Sequence, residues 1–180
     1  MGQRGQQPWA LVTELKNDFT VKQVEMTAEK IDDEIKVLIV IHPKDITDAA
    51  QFAIDQFVLR GGKLIAFLDA NCLTDSRGQQ NPMMAQMGGG GSTLEKLLKA
   101  WGVNFESSKV VADMNYRREI DGGGGRPQQR PTWLQLTPDA MDTNDVVTSQ
   151  LDNVMYFAGG AFSGTPAAGL TRTVLLKSTA

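Results

Sequence analysis

The run Val37-Leu38-Ile39-Val40-Ile41, the stretch from Asp48 to Arg60 closed by Gly61-Gly62, and the run Leu64-Ile65-Ala66-Phe67-Leu68 decide the reading of the fold. Both runs are short, continuously apolar and rich in Val, Ile and Leu, the pattern of strands buried on two faces. Between them Ala50, Ile54, Phe57 and Val58 share one side of a 3.6-residue period, Thr47 is placed to cap the helix, and Gly61 supplies a left-handed stop. A crossover helix joining two strands makes them parallel. Ligands meet open parallel sheets at the carboxyl ends of the strands. His42 after the first run, and Asp69 and Asn71 after the second, are therefore the first candidate binding residues.

Working outward, Trp9 to Lys16 reads as a short helix with Trp9, Val12 and Leu15 on one side, and Phe19 to Val24 as an edge strand. Residues 71–91 have the composition of a long loop ending in four glycines, Gly88 to Gly91. Ser92 then reads as a helix cap, with Glu95 completing a capping box. Leu94, Leu97, Leu98 and Trp101 form a buried stripe, and Gly102 ends the helix. Lys109 to Ala112 predicts a third parallel strand, with Asp113 as a further binding candidate at its tip. A second glycine run, Gly122 to Gly125, opens another loop that leads into strands at Trp133 to Leu136, Val154 to Ala158 and Thr173 to Leu176. The whole predicts one α/β domain over residues 1–180, a mainly parallel sheet flanked by helices in a flavodoxin-like three-layer arrangement.

Composition narrows the function classes. With 180 residues, 41% hydrophobic and 22% charged, the chain has the size for one core and little room for two, which predicts a single domain. Net charge is −3, and Arg117, Arg118, Arg126 and Arg130 are interleaved with Glu119 and Asp121, which argues against a nucleic-acid surface. No apolar window reaches about eighteen residues, so this segment predicts no membrane insertion of its own. Cys72 is the single cysteine, which makes an internal disulfide impossible.

Chemical motifs are sparse. Gly90-Gly91-Ser92-Thr93 lacks the lysine of a phosphate-binding P-loop, and Gly88 to Gly91 follows a long polar loop rather than the strand a dinucleotide fingerprint requires. One histidine, one cysteine and scattered carboxylates are a weak donor set, so no metal site and no cofactor are predicted. Cys72 comes after a buried strand, where α/β enzymes place nucleophiles, but Asn71-Cys72-Leu73-Thr74 has no glycines for a strained elbow. No histidine lies downstream to serve as base, so no catalytic residue is assigned. An aspartate just beyond a strand also caps loop amides, and His42 before Pro43 is a turn entrance. Met83, Met84 and Met87 lie in the first long loop, as loose packing or a docking point.

The segments Ile41-His42-Pro43-Lys44 and Ala53-Ile54-Asp55-Gln56-Phe57-Val58-Leu59-Arg60-Gly61-Gly62-Lys63-Leu64 resemble the auxiliary component of ABC-type transport systems related to gliding-motility proteins. Leu97 to Val103, Lys109 to Asp113, Trp133 to Thr137, Asp145 to Thr148, Leu151-Asp152, Ala158 to Ala161 and Leu175 to Ser178 follow in the order of that family. The resemblance spans residues 36–178. It implies a periplasmic or extracytoplasmic domain of a larger, inner-membrane-anchored protein, with a fold akin to class I glutamine amidotransferases and no catalytic apparatus. It also implies an ABC permease or another membrane transport subunit as partner, with a glycan-like or small-molecule ligand as a further candidate. The alternative is a hydrolase or amidotransferase-like enzyme using Cys72, or His42 with Asp69. A third reading is a nucleotide-binding flavodoxin-like module.

Overall fold

The computed structural model describes residues 9–72, 90–121 and 126–179. The methionines of the first long loop, Gly88-Gly89 and the second glycine run lie outside them. Helix α1 (Ala10–Asp18) precedes an irregular segment, then β1 (Val37–Ile41), α2 (Asp48–Leu59) and β2 (Lys63–Phe67). After residue 90 come α3 (Glu95–Ala100), β3 (Asn104–Phe105), β4 (Arg117–Asp121), β5 (Pro127–Leu136), a 3-10 turn (Pro138–Ala140), β6 (Val154–Phe157) and β7 (Phe162–Ser163).

The strand, helix, strand unit forms as its sequence dictates. β1 and β2 pair in parallel from Val37 opposite Lys63 to Ile41 opposite Phe67. The ladder runs one step further, because the His42 N–H donates to the Phe67 carbonyl at 2.8 Å. Thr47 Oγ1 accepts the Ala50 N–H at 3.2 Å, and Gly61 adopts φ +95° to stop the helix. The inner face of α2 buries Ala50, Ala53, Ile54 and Phe57 against Leu38 and Val40 of β1 and against Leu94, Leu97 and Leu98. Phe57 has no exposed surface at all. The amino end of α3 is fastened to α2 by a buried polar contact, Gln51 Oε1 accepting the Leu97 N–H at 3.1 Å. Gly102, at φ +72°, ends α3 where the Thr165 carbonyl leaves no room for a Cβ.

The three-layer parallel sheet does not form. Among the described residues only β1 and β2 are parallel; β3 pairs with β7 and β4-β5-β6 form a three-stranded sheet, all antiparallel. Two physical reasons account for the correction. First, residues 109–112 join no ladder: the Val111 N–H donates to the Gly159 carbonyl and the Asp113 N–H to the Pro131 carbonyl, so this backbone is spent on the antiparallel half. Second, a flavodoxin-like or amidotransferase-like sheet is covered by helices on both faces. Here the outward side of the parallel pair stays open, with Val37, Ile65 and Phe67 each about half exposed.

Other elements differ as well. The segment from Phe19 to Val24 carries no strand, and Thr173 to Leu176 contributes a single bridge, Met141 with Leu176. β4 is a strand although its sequence is nearly all polar. It is held by β5, with a shift in register between Arg117 and Arg118. Leu134, Leu136, Ala140 and Met141 form a second buried cluster beneath this sheet.

Candidate functional site

Three segments converge at the carboxyl ends of β1 and β2: the turn after β1 with His42 and Pro43, the turn after β2 from Asp69 to Cys72, and Gly90 to Thr93 ahead of α3. Ser92 ties them together. Its N–H donates to the Asp69 carbonyl and its Oγ accepts the Asp69 N–H, both at 2.8 Å, while the same Oγ lies 2.9 Å from His42 Nδ1. The Thr93 N–H donates to the Pro43 carbonyl at 2.7 Å, and the Cys72 N–H to the Gly90 carbonyl at 3.4 Å. A serine that reads as a helix cap is thus drawn away from the helix. α3 begins later, at Glu95, with no side-chain cap.

The backbone at this edge is strained. His42 adopts φ +44° and Asp45 φ +55°, left-handed conformations that side chains with a Cβ disfavour by about 1–2 kcal/mol. The turn aims the His42 side chain inward, where only 8% of it is exposed, next to Asp69, whose side chain is 45% exposed. His42 Nδ1 lies 3.7 Å from Asp69 Oδ2. Cys72 is buried beside them, and one donor atom from each of His42, Asp69 and Cys72 falls within 4.8 Å of the other two. Asn71 Oδ1 is buried in the same turn without a hydrogen-bond partner among the described residues.

The antiparallel half supplies the back wall. Gly160 packs so closely that a Cβ there would stand 2.5 Å from the Phe105 ring and 3.2 Å from the Ala70 Cβ. Tyr156 of β6 donates its hydroxyl to the Gly160 carbonyl. Burial, and then the negative charge of Asp69, push the Tyr156 phenol above its usual range.

Of the sequence candidates, His42, Asp69 and Asn71 are brought to one edge, and Asp113 is not part of their cluster. Asp113 is 3% exposed and serves as a clasp: its carboxylate accepts the Thr179 N–H and hydroxyl and the Asn115 N–H, at 2.7 to 2.9 Å. Burial raises its pKa, but these bonds to the charged form outweigh burial and hold it below the usual carboxylate value. The residues that sequence reasoning missed are Ser92, Tyr156 and Cys72 as a neighbour of the imidazole. A depression of about 430 Å³ elsewhere, lined by Tyr116, Gln135, Thr137 and Asp139, is a shallow feature of the antiparallel half.

A family model described as "ABC-type uncharacterized transport system", for auxiliary components of such systems, matches residues 2–180. The chain belongs to this ABC transport auxiliary family. No curated protein and no solved structure matches it. Among the described residues no helix is long and apolar enough to cross a membrane.

Proposed function

We propose that this chain is a non-catalytic binding or scaffolding domain of an ABC transport auxiliary component, and that it captures a permease or another membrane subunit at the ends of β1 and β2. On this reading it is one domain of a larger anchored protein and lies on the extracytoplasmic side of the membrane. The observation that carries the proposal is the Ser92 hydroxyl, which fixes the two strand ends and holds His42 and a half-exposed Asp69 in one polar edge. Asp69→Ala keeps the backbone bonds to Ser92. It should reduce co-purification of transport subunits with the intact parent protein several-fold, with a melting temperature within a few degrees of wild type. Unchanged co-purification by a folded variant rejects this edge as the docking point.

A second reading rests on the closeness of Cys72 to His42: a hydrolase in which the imidazole activates the thiol. Stoichiometric iodoacetamide labelling of the native chain within minutes at pH 6 is its expected signature, and labelling that waits for unfolding removes it.

A further inference from the structure

We infer that His42, Asp69 and Cys72 form a binding site for a borderline divalent transition ion of the zinc class. The three residues were scattered along the sequence and gave no metal motif. The parallel pairing of β1 with β2 brings them together, since it sets His42 and Asp69 side by side and the turn after β2 folds Cys72 back onto them.

The donors suit such an ion. Imidazole nitrogen, carboxylate oxygen and thiolate sulfur all ligate zinc, at about 2.0–2.1, 2.0–2.2 and 2.3 Å, and a tetrahedral ion therefore places its donor atoms about 3.3–3.6 Å apart. His42 Nδ1 and Asp69 Oδ2 already lie 3.7 Å apart, and no pair in the cluster exceeds 4.8 Å. A rotamer change at Cys72 and a small turn of the ring cover the remaining ~1 Å. The mixed set excludes magnesium and calcium, which take oxygen donors, and three protein ligands leave a fourth position for water or an incoming group.

Charge and orientation agree. Binding converts the Cys72 thiol to a thiolate, with its proton passing to solvent, and the two negative charges of thiolate and carboxylate then neutralise the ion within a largely buried site. Ser92 Oγ, 2.9 Å from His42 Nδ1 and itself held by the Asp69 N–H, stands beside the ligating nitrogen and gives up that contact when the ion binds. The left-handed backbone at His42 holds that side chain inward at an energetic cost, the kind of strain that accumulates at functional positions. The inference shares residues with the docking edge but does not rest on it, because an ion can bind whether or not a subunit docks.

Cobalt(II) is the probe. Titration of the chelator-treated full chain should give one equivalent of tightly bound ion, with a thiolate-to-cobalt charge-transfer band in the near ultraviolet, and zinc(II) should displace it. Cys72→Ser should abolish the band, and Asp69→Ala or His42→Ala should weaken binding more than tenfold. Absence of the band at saturating cobalt, or an equal band in Cys72→Ser, overturns the inference. Should Cys72→Ser fail to fold, zinc protection of wild-type Cys72 from iodoacetamide is read instead, and unchanged labelling overturns it equally. Failure of the metal site leaves the Asp69→Ala co-purification result standing, so the two proposals fail separately.

Discussion

The parallel unit and the antiparallel sheet solve the same problem of burial in opposite ways. In β1-α2-β2 the apolar side chains are contiguous in sequence, and one helix covers one face of the strand pair. In β4-β5-β6 few apolar residues are available: the buried positions are Leu134 and Leu136, separated by the exposed Gln135, an alternation that only a strand half in water produces. β4 adds no apolar run, and Arg118 stands opposite Arg130, an unfavourable cross-strand pair. Its place is kept by side-chain bonds instead, such as Arg117 Nε donating to Gln129 Oε1 at 2.7 Å. The first region is specified by what it buries, the second by what it pairs.

The sharpest way to break this contrast is to empty each core in turn. Phe57→Ala should destabilise the protein by about 3–5 kcal/mol and Leu134→Ala by about 2–5 kcal/mol in urea unfolding. Because the two residues belong to separate buried clusters, the double variant should equal the sum of the singles to within about 0.5 kcal/mol. A much larger coupling would mean one continuous core and erase the distinction.

A smaller effect tests the polar pinning. Asp113 is ionised and clasped in the folded state, with its pKa below the unfolded value of about 3.9. Its contribution is complete above that value and is lost as pH falls through the folded pKa, so stability should decline on acidification below about pH 4. Asp113→Asn should lower stability at pH 7 by about 1–3 kcal/mol and reduce this acid-dependent decline, as measured by denaturant melts across pH. The smallest change expected is in the parallel unit: Thr47→Ala removes the cap on Ala50 and should cost about 1 kcal/mol, read as a shift in the urea midpoint.

Legibility in the sequence follows the same division. β1, α2 with its cap and stop, and β2 within one residue could be read because local propensity and tertiary burial agree there. Strand β4 could not, since Arg117 to Asp121 carry neither β-branched alternation nor an apolar face apart from Ile120. Lys109 to Ala112 had the composition of a strand, but its backbone is spent on an isolated bond to Gly159 and joins no ladder, which a single sequence does not reveal. At the candidate site, the rule that ligands meet the carboxyl ends of parallel strands pointed to His42, Asp69 and Asn71, which the structure brings to one edge. Ser92 was hidden because its type and its Glu95 partner fit a helix cap equally well, and the nearness of Cys72 depends on how a turn folds back, which spacing alone does not encode.

The left-handed backbone at His42 carries a practical consequence for engineering. Stability design guided by backbone conformation alone would favour glycine at position 42, which relieves about 1 kcal/mol of backbone strain while deleting the only imidazole in the chain. A thermostabilised version of this domain chosen without a binding assay would thus lack the imidazole on which the proposed docking edge and metal site both depend.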